Sequence, residues 1–101
     1  MNNVMSYDEY DEYLHGSCHL WVLDNYRPGD KIFVMTDFDY DINGYALVHC
    51  GLLRNGKYVD VRGEMDSEKE VLDEFDYGPE LDIEIMNLVQ FKKYCKENHL
   101  I

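Results

Sequence analysis

The stretch "YALVHCGLLRNGKYVDVRG", Tyr45 to Gly63, decides the fold, because it contains two largely apolar strands joined by a two-residue turn. The Asn-Gly pair at positions 55 and 56 tolerates the positive φ that a type I′ turn requires. We therefore predict a β-hairpin in which Arg54, the last residue of the first strand, pairs with Lys57.

Counting outward from this turn predicts which side chains share a face of the hairpin. Gly51 then faces Asp60, and His49 faces Arg62. Because side chains alternate between the two faces, His49 and Asp60 become diagonal neighbours, roughly 7–8 Å apart between their backbones. We expect Gly51 to leave the space between them empty. The hairpin thus predicts a His49–Asp60 pair, with Cys50 buried on the opposite face.

The remaining chain predicts an α+β fold around this hairpin. Ser6 and Ser67 each precede a glutamate by three residues, the spacing of a capping box, and Ser17 can cap a helix that carries Cys18 in its first turn. The predicted order is α-α-β-β-β-α-β-α, in a single compact domain over residues 1–101 with a small antiparallel sheet packed against short helices. The other strands are predicted in "KIFVMT" and "LDIEI", and the last helix in "NLVQFKKYCKEN".

The balance of charges predicts the class of partner. The chain has 21 Asp and Glu residues against 9 Lys and Arg residues, a formal net charge of -12. Such a chain repels nucleic-acid phosphates, so we expect no direct nucleic-acid binding and a protein partner with a basic surface. The acidic loop "DFDYDING", with Asp37, Asp39 and Asp41, is the candidate partner-binding segment. Its spacing resembles an EF-hand loop, but Ile42 stands where the turn requires Gly, so we expect no calcium.

Cysteine usage and hydropathy predict the compartment. The longest apolar runs cover only a few residues, too short to cross a bilayer, and the first residues lack the pattern of a secretory signal. Cys18, Cys50 and Cys95 are odd in number and form no CxxC pair, so we expect reduced thiols and neither a metal nor a cofactor. We place the protein in a cytoplasm, that of the host if the protein is encoded by a phage.

Cys18 is a candidate nucleophile. A thiol in the first turn of a helix feels the positive end of the peptide dipoles, and a nearby imidazolium lowers its pKa further. If this helix packs over the face that holds His49 and Asp60, the three side chains form a Cys-His-Asp triad. The alternatives are that Cys18 is a packed core residue, that His49 is a hydrogen-bonded strand histidine, and that Asp60 pairs with Arg62.

The order of these residues resembles that of a known superfamily. "GSCHLW" is similar to the start of the cysteine helix in papain-like and transglutaminase-like enzymes, and "HCGLLRNGKYVDVRG" to their histidine strand, turn and aspartate strand. The pattern is also similar to short "CH…H…YxDxRG" proteins of phages and bacteria. The resemblance covers residues 16–63. It implies a papain/transglutaminase-like core with Cys18, His49 and Asp60 as catalytic residues.

Two functions from different classes therefore stand as expectations. In the first, the protein is a thiol hydrolase or acyltransferase that acts on an amide, thioester or isopeptide bond. In the second, it is a non-enzymatic acidic inhibitor that imitates a nucleic acid and blocks a basic partner protein. Phage antagonists of host defence, such as anti-CRISPR or anti-restriction proteins, work in this second way.

Overall fold

The computed structural model describes residues 6–101; the expectation about a secretory signal falls partly on residues 1–5, outside the described part. No helix within the described range is long and apolar enough to cross a bilayer. The elements, in chain order, are α1 (Tyr7–His15), α2 (Cys18–Asn25), β1 (Lys31–Asp39), β2 (Gly44–Arg54), β3 (Lys57–Asp60), β4 (Gly63–Met65), α3 (Glu68–Leu72), β5 (Asp82–Met86) and α4 (Leu88–Glu97).

The five strands form one antiparallel sheet in the order β4-β3-β2-β1-β5, which confirms the predicted α+β class and places β2 at the centre. The predicted order lacked β4. The expected return strand to Gly63 ends instead at Asp60, and a two-residue turn leads into β4 so that Asp60 pairs with Gly63. The backbone N–H of Arg62 donates to Asp60 Oδ1 at 2.8 Å, which stabilises this turn.

The predicted hairpin register is confirmed near the turn. Arg54 pairs with Lys57, and the two turn residues have φ values of 51° and 77°, both in the left-handed region. The pairing of β2 with β3 ends at Leu52 and Val59. The expected pairing of His49 with Arg62 is therefore wrong, because β3 has already turned away from β2. The part of β2 before Leu52 has no β3 partner on that side.

Half of the segment predicted as an acidic loop belongs to strands. β1 continues through Asp37, which pairs with Ala46, to Asp39, which pairs with Gly44; a register shift lies after Met35. The strand can continue because the alternating residues of this segment pair across to β2. Of the three aspartates predicted in a loop, Asp41 alone lies in the turn.

Helices cover both faces of the sheet. The buried residues form two clusters, one on each face of the sheet, because side chains alternate between the two faces along a strand. On one face, β1 and β2 contribute Ile32, Val34, Cys50 and Leu52, which pack with residues of α2 and α4. On the other face, Phe33 and Met35 of β1 pack with Val71 and Leu72, at the end of α3.

The helix starts follow the predicted caps with one exception. Ser6 and Ser67 accept hydrogen bonds from the third residues of their helices, as predicted. Ser17 stands at the N-cap position of α2, but its hydroxyl donates to Glu12 Oε1 at 3.2 Å and caps no backbone N–H. The cap that we predicted for α2 is therefore wrong, because a carboxylate of α1 lies within reach of the serine. A capping box at Asn87 begins α4.

Candidate functional site

A buried histidine–aspartate pair lies where the hairpin ends. His49 Nε2 and Asp60 Oδ2 are 2.7 Å apart, with 0% and 2% of their side chains exposed. The pKa of Asp60 is about 2, so its carboxylate is ionised and can only accept. Nε2–H of His49 is therefore the donor. The predicted His49–Asp60 pair is present, and it leaves Nδ1 as the second nitrogen of the imidazole.

Asp60 is also held by Arg62. The guanidinium of Arg62 donates to both carboxylate oxygens of Asp60, through Nη2 at 2.6 Å and Nε at 3.1 and 3.2 Å. Burial alone would raise the pKa of Asp60, but hydrogen bonds from His49 and Arg62 outweigh it and lower the pKa to about 2. The pairings of Asp60 with His49 and with Arg62 therefore coexist.

Aromatic rings enclose the imidazole. The half-buried ring of Phe75 stacks on His49 with centroids 4.5 Å apart, and the Phe33 ring lies 6.0 Å away on the same face of the sheet. A Cβ at Gly51 would come within 2.5 Å of the Phe33 ring and 2.7 Å of the Val59 carbonyl oxygen. The space that we expected Gly51 to leave empty is therefore filled by Phe33.

Cys18 is near the His49–Asp60 pair but packs with the opposite face of the sheet. The predicted triad was conditional on α2 packing over the face that holds His49 and Asp60. Cys18 belongs instead to the core cluster of the opposite face, and its Sγ lies 3.2 Å from Sγ of Cys50. α2 contacts both β2 and β3, and its first residue, Cys18, lies near His49 as well as Cys50. Cys50 is fully buried, as predicted.

The electrostatics of the site favour a thiolate at Cys18. The hydrogen bond from Cys50 is the main cause that lowers the pKa of Cys18 to about 5; burial opposes it, and the His49 side chain adds to it. Burial lowers the pKa of His49, but the interactions with Asp60 and Cys18 outweigh burial and raise it. His49 Nδ1 has no partner within ordinary hydrogen-bond limits among the described residues. Each of Cys18 and His49 therefore stabilises the charged form of the other across a longer contact.

The site is closed in this conformation. Cys18 is 4% exposed, and His49 is fully buried. Surface cavities of about 440, 270 and 320 Å³ occur in the described part of the chain, and Cys18, His49 and Asp60 line none of these three. The third cavity is lined by Gly16, two residues before Cys18, and by Tyr94 of α4.

The predicted acidic residues lie at a different place. Asp37, Asp39 and Asp41 line the cavity of about 440 Å³ together with Asp76. Asp37 accepts a hydrogen bond from the backbone N–H of Gly78, so this carboxylate also holds the segment after α3. Asp39 Oδ1 accepts from the N–H of Asp41 at 2.9 Å. These interactions leave Asp41 and Asp76 as the exposed carboxylates of the cavity.

The sequence did not predict two contacts of the site, that of Cys18 with Cys50 and that of Phe75 with His49. The alternation of β2 correctly placed Cys50 opposite His49, but nothing in the sequence showed that α2 would bring Cys18 onto that side. Phe75 follows a short helix in a polar segment, and no periodicity marks it as the ring that covers His49.

Among residues 6–101, no three His, Cys, Asp or Glu side chains are grouped so that they could hold a metal ion. No protein-family model matches the sequence, and neither the curated proteins nor the solved structures give a significant match.

Proposed function

We propose that this chain is a thiol hydrolase or acyltransferase with a compact papain/transglutaminase-like site. Cys18 is the nucleophile, His49 is the general acid and base, and Asp60 positions His49. The observation that carries the proposal is the buried 2.7 Å contact from His49 Nε2 to Asp60, with Cys18 beside the same imidazole. This contact fixes the imidazole so that Nδ1 remains for proton transfer.

The proposed reaction has two halves, formation and breakdown of a thioester, and Cys18 and His49 act in both. The Cys18 thiolate attacks an acyl carbonyl and a sulfur–carbon bond forms. The bond from the carbonyl carbon to the leaving group then breaks, and the leaving amine or thiol takes a proton from His49. Water or a second nucleophile then gives its proton to His49 and attacks the thioester, which releases Cys18. Backbone N–H groups at the start of α2 are available near the thiol to stabilise the oxyanion.

Burial sets a condition on this reaction. Cys18 is only 4% exposed, so an acyl substrate requires a local opening. Phe75 is the half-buried ring over His49, and it lies outside regular secondary structure, in the segment after α3. In this proposal the opening is a displacement of this segment, which requires no break in the sheet.

The test uses p-nitrophenyl acetate, a small activated ester. We expect a burst of p-nitrophenol and one acetyl group on Cys18, located by peptide mass spectrometry. Cys95→Ser is the matched control, because it removes another buried thiol of the same core and is expected to retain the burst. His49→Ala is expected to reduce the burst rate at least about tenfold, the usual range for loss of a general base.

Acetylation only at lysines, or at Cys95 as fast as at Cys18, would contradict the proposal. Because His49 is buried, circular dichroism must first show that His49→Ala is folded. Asp60→Asn provides a second variant that keeps the shape of the side chain, and its burst is also expected to be slower than that of the wild type.

A second candidate function is favoured by the acidic cavity. In this alternative, the chain is a non-enzymatic inhibitor whose acidic surface imitates a nucleic acid and occupies the basic groove of a partner protein. Four aspartates line the cavity of about 440 Å³. The exposed side chains of Tyr40 and Ile42 lie in the turn that also holds Asp41. Carboxylates and exposed apolar groups together suit a protein interface.

This candidate is tested with immobilised polylysine as a basic probe. Removal of two charges in Asp39→Asn/Asp41→Asn is expected to weaken binding more than Asp24→Asn/Glu97→Gln, which removes two exposed charges elsewhere. Binding is expected to fall steeply with added salt. Equal losses in the two double variants would show that the total charge matters and the cavity does not.

A further inference from the structure

The Cys18 thiol accepts a hydrogen bond from another thiol. Sγ of Cys18 and Sγ of Cys50 are 3.2 Å apart, although the two residues are separated by 32 positions in the chain. Both side chains belong to the same buried cluster and are free cysteines. Formation of a disulfide requires an approach of about 1.2 Å, because an S–S bond is about 2.0 Å long.

The two thiols are chemically unequal. The pKa of Cys18 is lowered to about 5, whereas burial raises the pKa of Cys50 well above its usual value. A dithiol with one thiolate and one protonated thiol has one sulfur ready to attack an oxidant and a second sulfur ready to resolve the product. The Cys50 hydrogen bond that stabilises the thiolate also holds this second sulfur in place.

We propose that Cys18 and Cys50 form a redox couple that a hydroperoxide oxidises to an intramolecular disulfide. This inference is independent of the proposed acyl-transfer function. The Cys18 sulfur attacks one peroxide oxygen, a sulfur–oxygen bond forms, the O–O bond breaks, and the departing alkoxide or hydroxide takes a proton. The Cys50 sulfur then attacks the sulfenic sulfur, the S–S bond forms, and hydroxide leaves with the Cys50 proton as water. Two thiols are oxidised and one peroxide is reduced.

The surroundings of Cys18 favour a small oxidant and favour Cys50 over Cys95 as the second thiol. Cys18 is 4% exposed, which excludes a bulky disulfide as oxidant in the closed conformation but leaves hydrogen peroxide, which is about the size of two waters. Cys95 lies in the same cluster, and burial raises its pKa to about 11. Cys95 therefore supplies an internal control: it is a buried thiol of the same core that lacks the activating contacts.

The experiment treats the reduced wild-type protein with one equivalent of hydrogen peroxide at neutral pH. The remaining thiols are then blocked with N-ethylmaleimide under denaturing conditions, and the protein is digested with trypsin. Cleavage after lysine and arginine places the three cysteines in separate peptides, covering residues 1–31, 32–54 and 94–96. We expect a mass loss of two hydrogens and a crosslink between the first two peptides, while the third carries N-ethylmaleimide.

Matched variants resolve the two steps. Cys95→Ser is expected to form the same crosslink at the wild-type rate. Cys50→Ser is expected to stop at a Cys18 sulfenic acid, which dimedone traps, and Cys18→Ser is expected to slow thiol oxidation at least about tenfold, the range set by thiolate content. A crosslink that contains Cys95, or three thiols that oxidise at equal rates, would overturn the proposal.

The wild-type crosslink decides the question even if a core variant fails to fold. The measurement also involves no acyl substrate. A protein that forms the Cys18–Cys50 crosslink but shows no burst with p-nitrophenyl acetate would support the redox couple and contradict the hydrolase. The reverse result would support the hydrolase and contradict the couple.

Discussion

Three cysteines in one core show how contacts set the chemistry of a residue. Cys18, Cys50 and Cys95 are all buried, yet only Cys18 has a lowered pKa, because it alone is near both a thiol donor and the His49 imidazole. Burial by itself would raise the pKa of all three thiols. The difference between them comes from hydrogen bonds and charge.

The pH dependence of alkylation is expected to report the Cys18 pKa. In the folded wild type, the rate of iodoacetamide labelling at Cys18 should be level above about pH 6 and fall to half near pH 5, because the thiolate is the reacting species. His49→Ala is expected to move this midpoint upward, and Asp60→Asn to move it less. Peptide mass spectrometry measures the three sites separately. A midpoint near that of an ordinary cysteine would show that the thiolate is not stabilised.

Asp60 is expected to control acid stability. Its pKa in the folded protein is about 2, below its usual value, so its contribution is fully present above about pH 4 and is lost as the pH falls through about 2. The shift corresponds to about 2 kcal/mol. Urea unfolding should show Asp60→Asn less stable than the wild type by about that amount at pH 7, with a smaller difference near pH 2.5.

The control for this comparison is Asp24→Asn, which changes an exposed carboxylate. Its free energy of unfolding should stay within about 0.5 kcal/mol of the wild type at both pH values. If the Asp60→Asn difference were as large at pH 2.5 as at pH 7, the pairing of Asp60 with His49 and Arg62 would not explain its effect.

At the scale of elements, the early end of β3 creates the site. β2 is longer than β3, so the residues of β2 before Leu52 have no β3 partner, and α2 contacts both strands. Asp60 is the last residue of β3. Its carboxylate accepts a hydrogen bond from the backbone N–H of Arg62 in the following turn and also contacts His49.

Gly51 is expected to be essential to this packing. In Gly51→Ala the new Cβ would lie 2.5 Å from the Phe33 ring and 2.7 Å from the backbone carbonyl oxygen of Val59, so ring and strand must both shift. We expect a loss of about 1–3 kcal/mol in the free energy of unfolding, measured with urea. Gly16→Ala is the matched control, because its nearest neighbour is 3.8 Å away. Equal losses in the two variants would contradict the steric explanation.

At the scale of the whole molecule, charge opposes the compact state. The net charge of -12 places many carboxylates on a domain whose Cα radius of gyration is 13.4 Å. Among residues 6–101, few of these acids are paired with cations; the basic side chains of Arg54, Lys57 and Arg62 each bind an aspartate. Mutual repulsion among the remaining carboxylates lowers stability when the salt concentration is low.

Salt is therefore expected to stabilise the domain. Raising sodium chloride from about 20 mM to about 500 mM shortens the Debye length and should raise the free energy of unfolding by about 1 kcal/mol. Asp39→Asn/Asp41→Asn is expected to show a smaller increase, because fewer charges repel one another. Thermal unfolding measures both. A fall in stability with salt would show that attractive ion pairs dominate the surface.

The sequence by itself determined the hairpin and the His49–Asp60 pair. Both follow from local rules: a two-residue turn fixes the register, and alternation fixes the face. The caps at Ser6 and Ser67 were also predictable, because capping uses residues three positions apart. The same local reasoning failed at Ser17 and at the end of β3, where Glu12 and Arg62 offered competing hydrogen bonds.

Only the tertiary structure decided which thiol Cys18 meets and which ring covers His49. The Cys18–Cys50 contact joins residues 32 positions apart in the chain, and it exists because α2 packs against β2 on the face that holds Cys50. Phe75 stacks on His49 because of the course of the segment after α3, whose sequence shows no periodicity. Such contacts join distant positions, and they are set by how elements fill space against one another, which no local pattern of residues encodes.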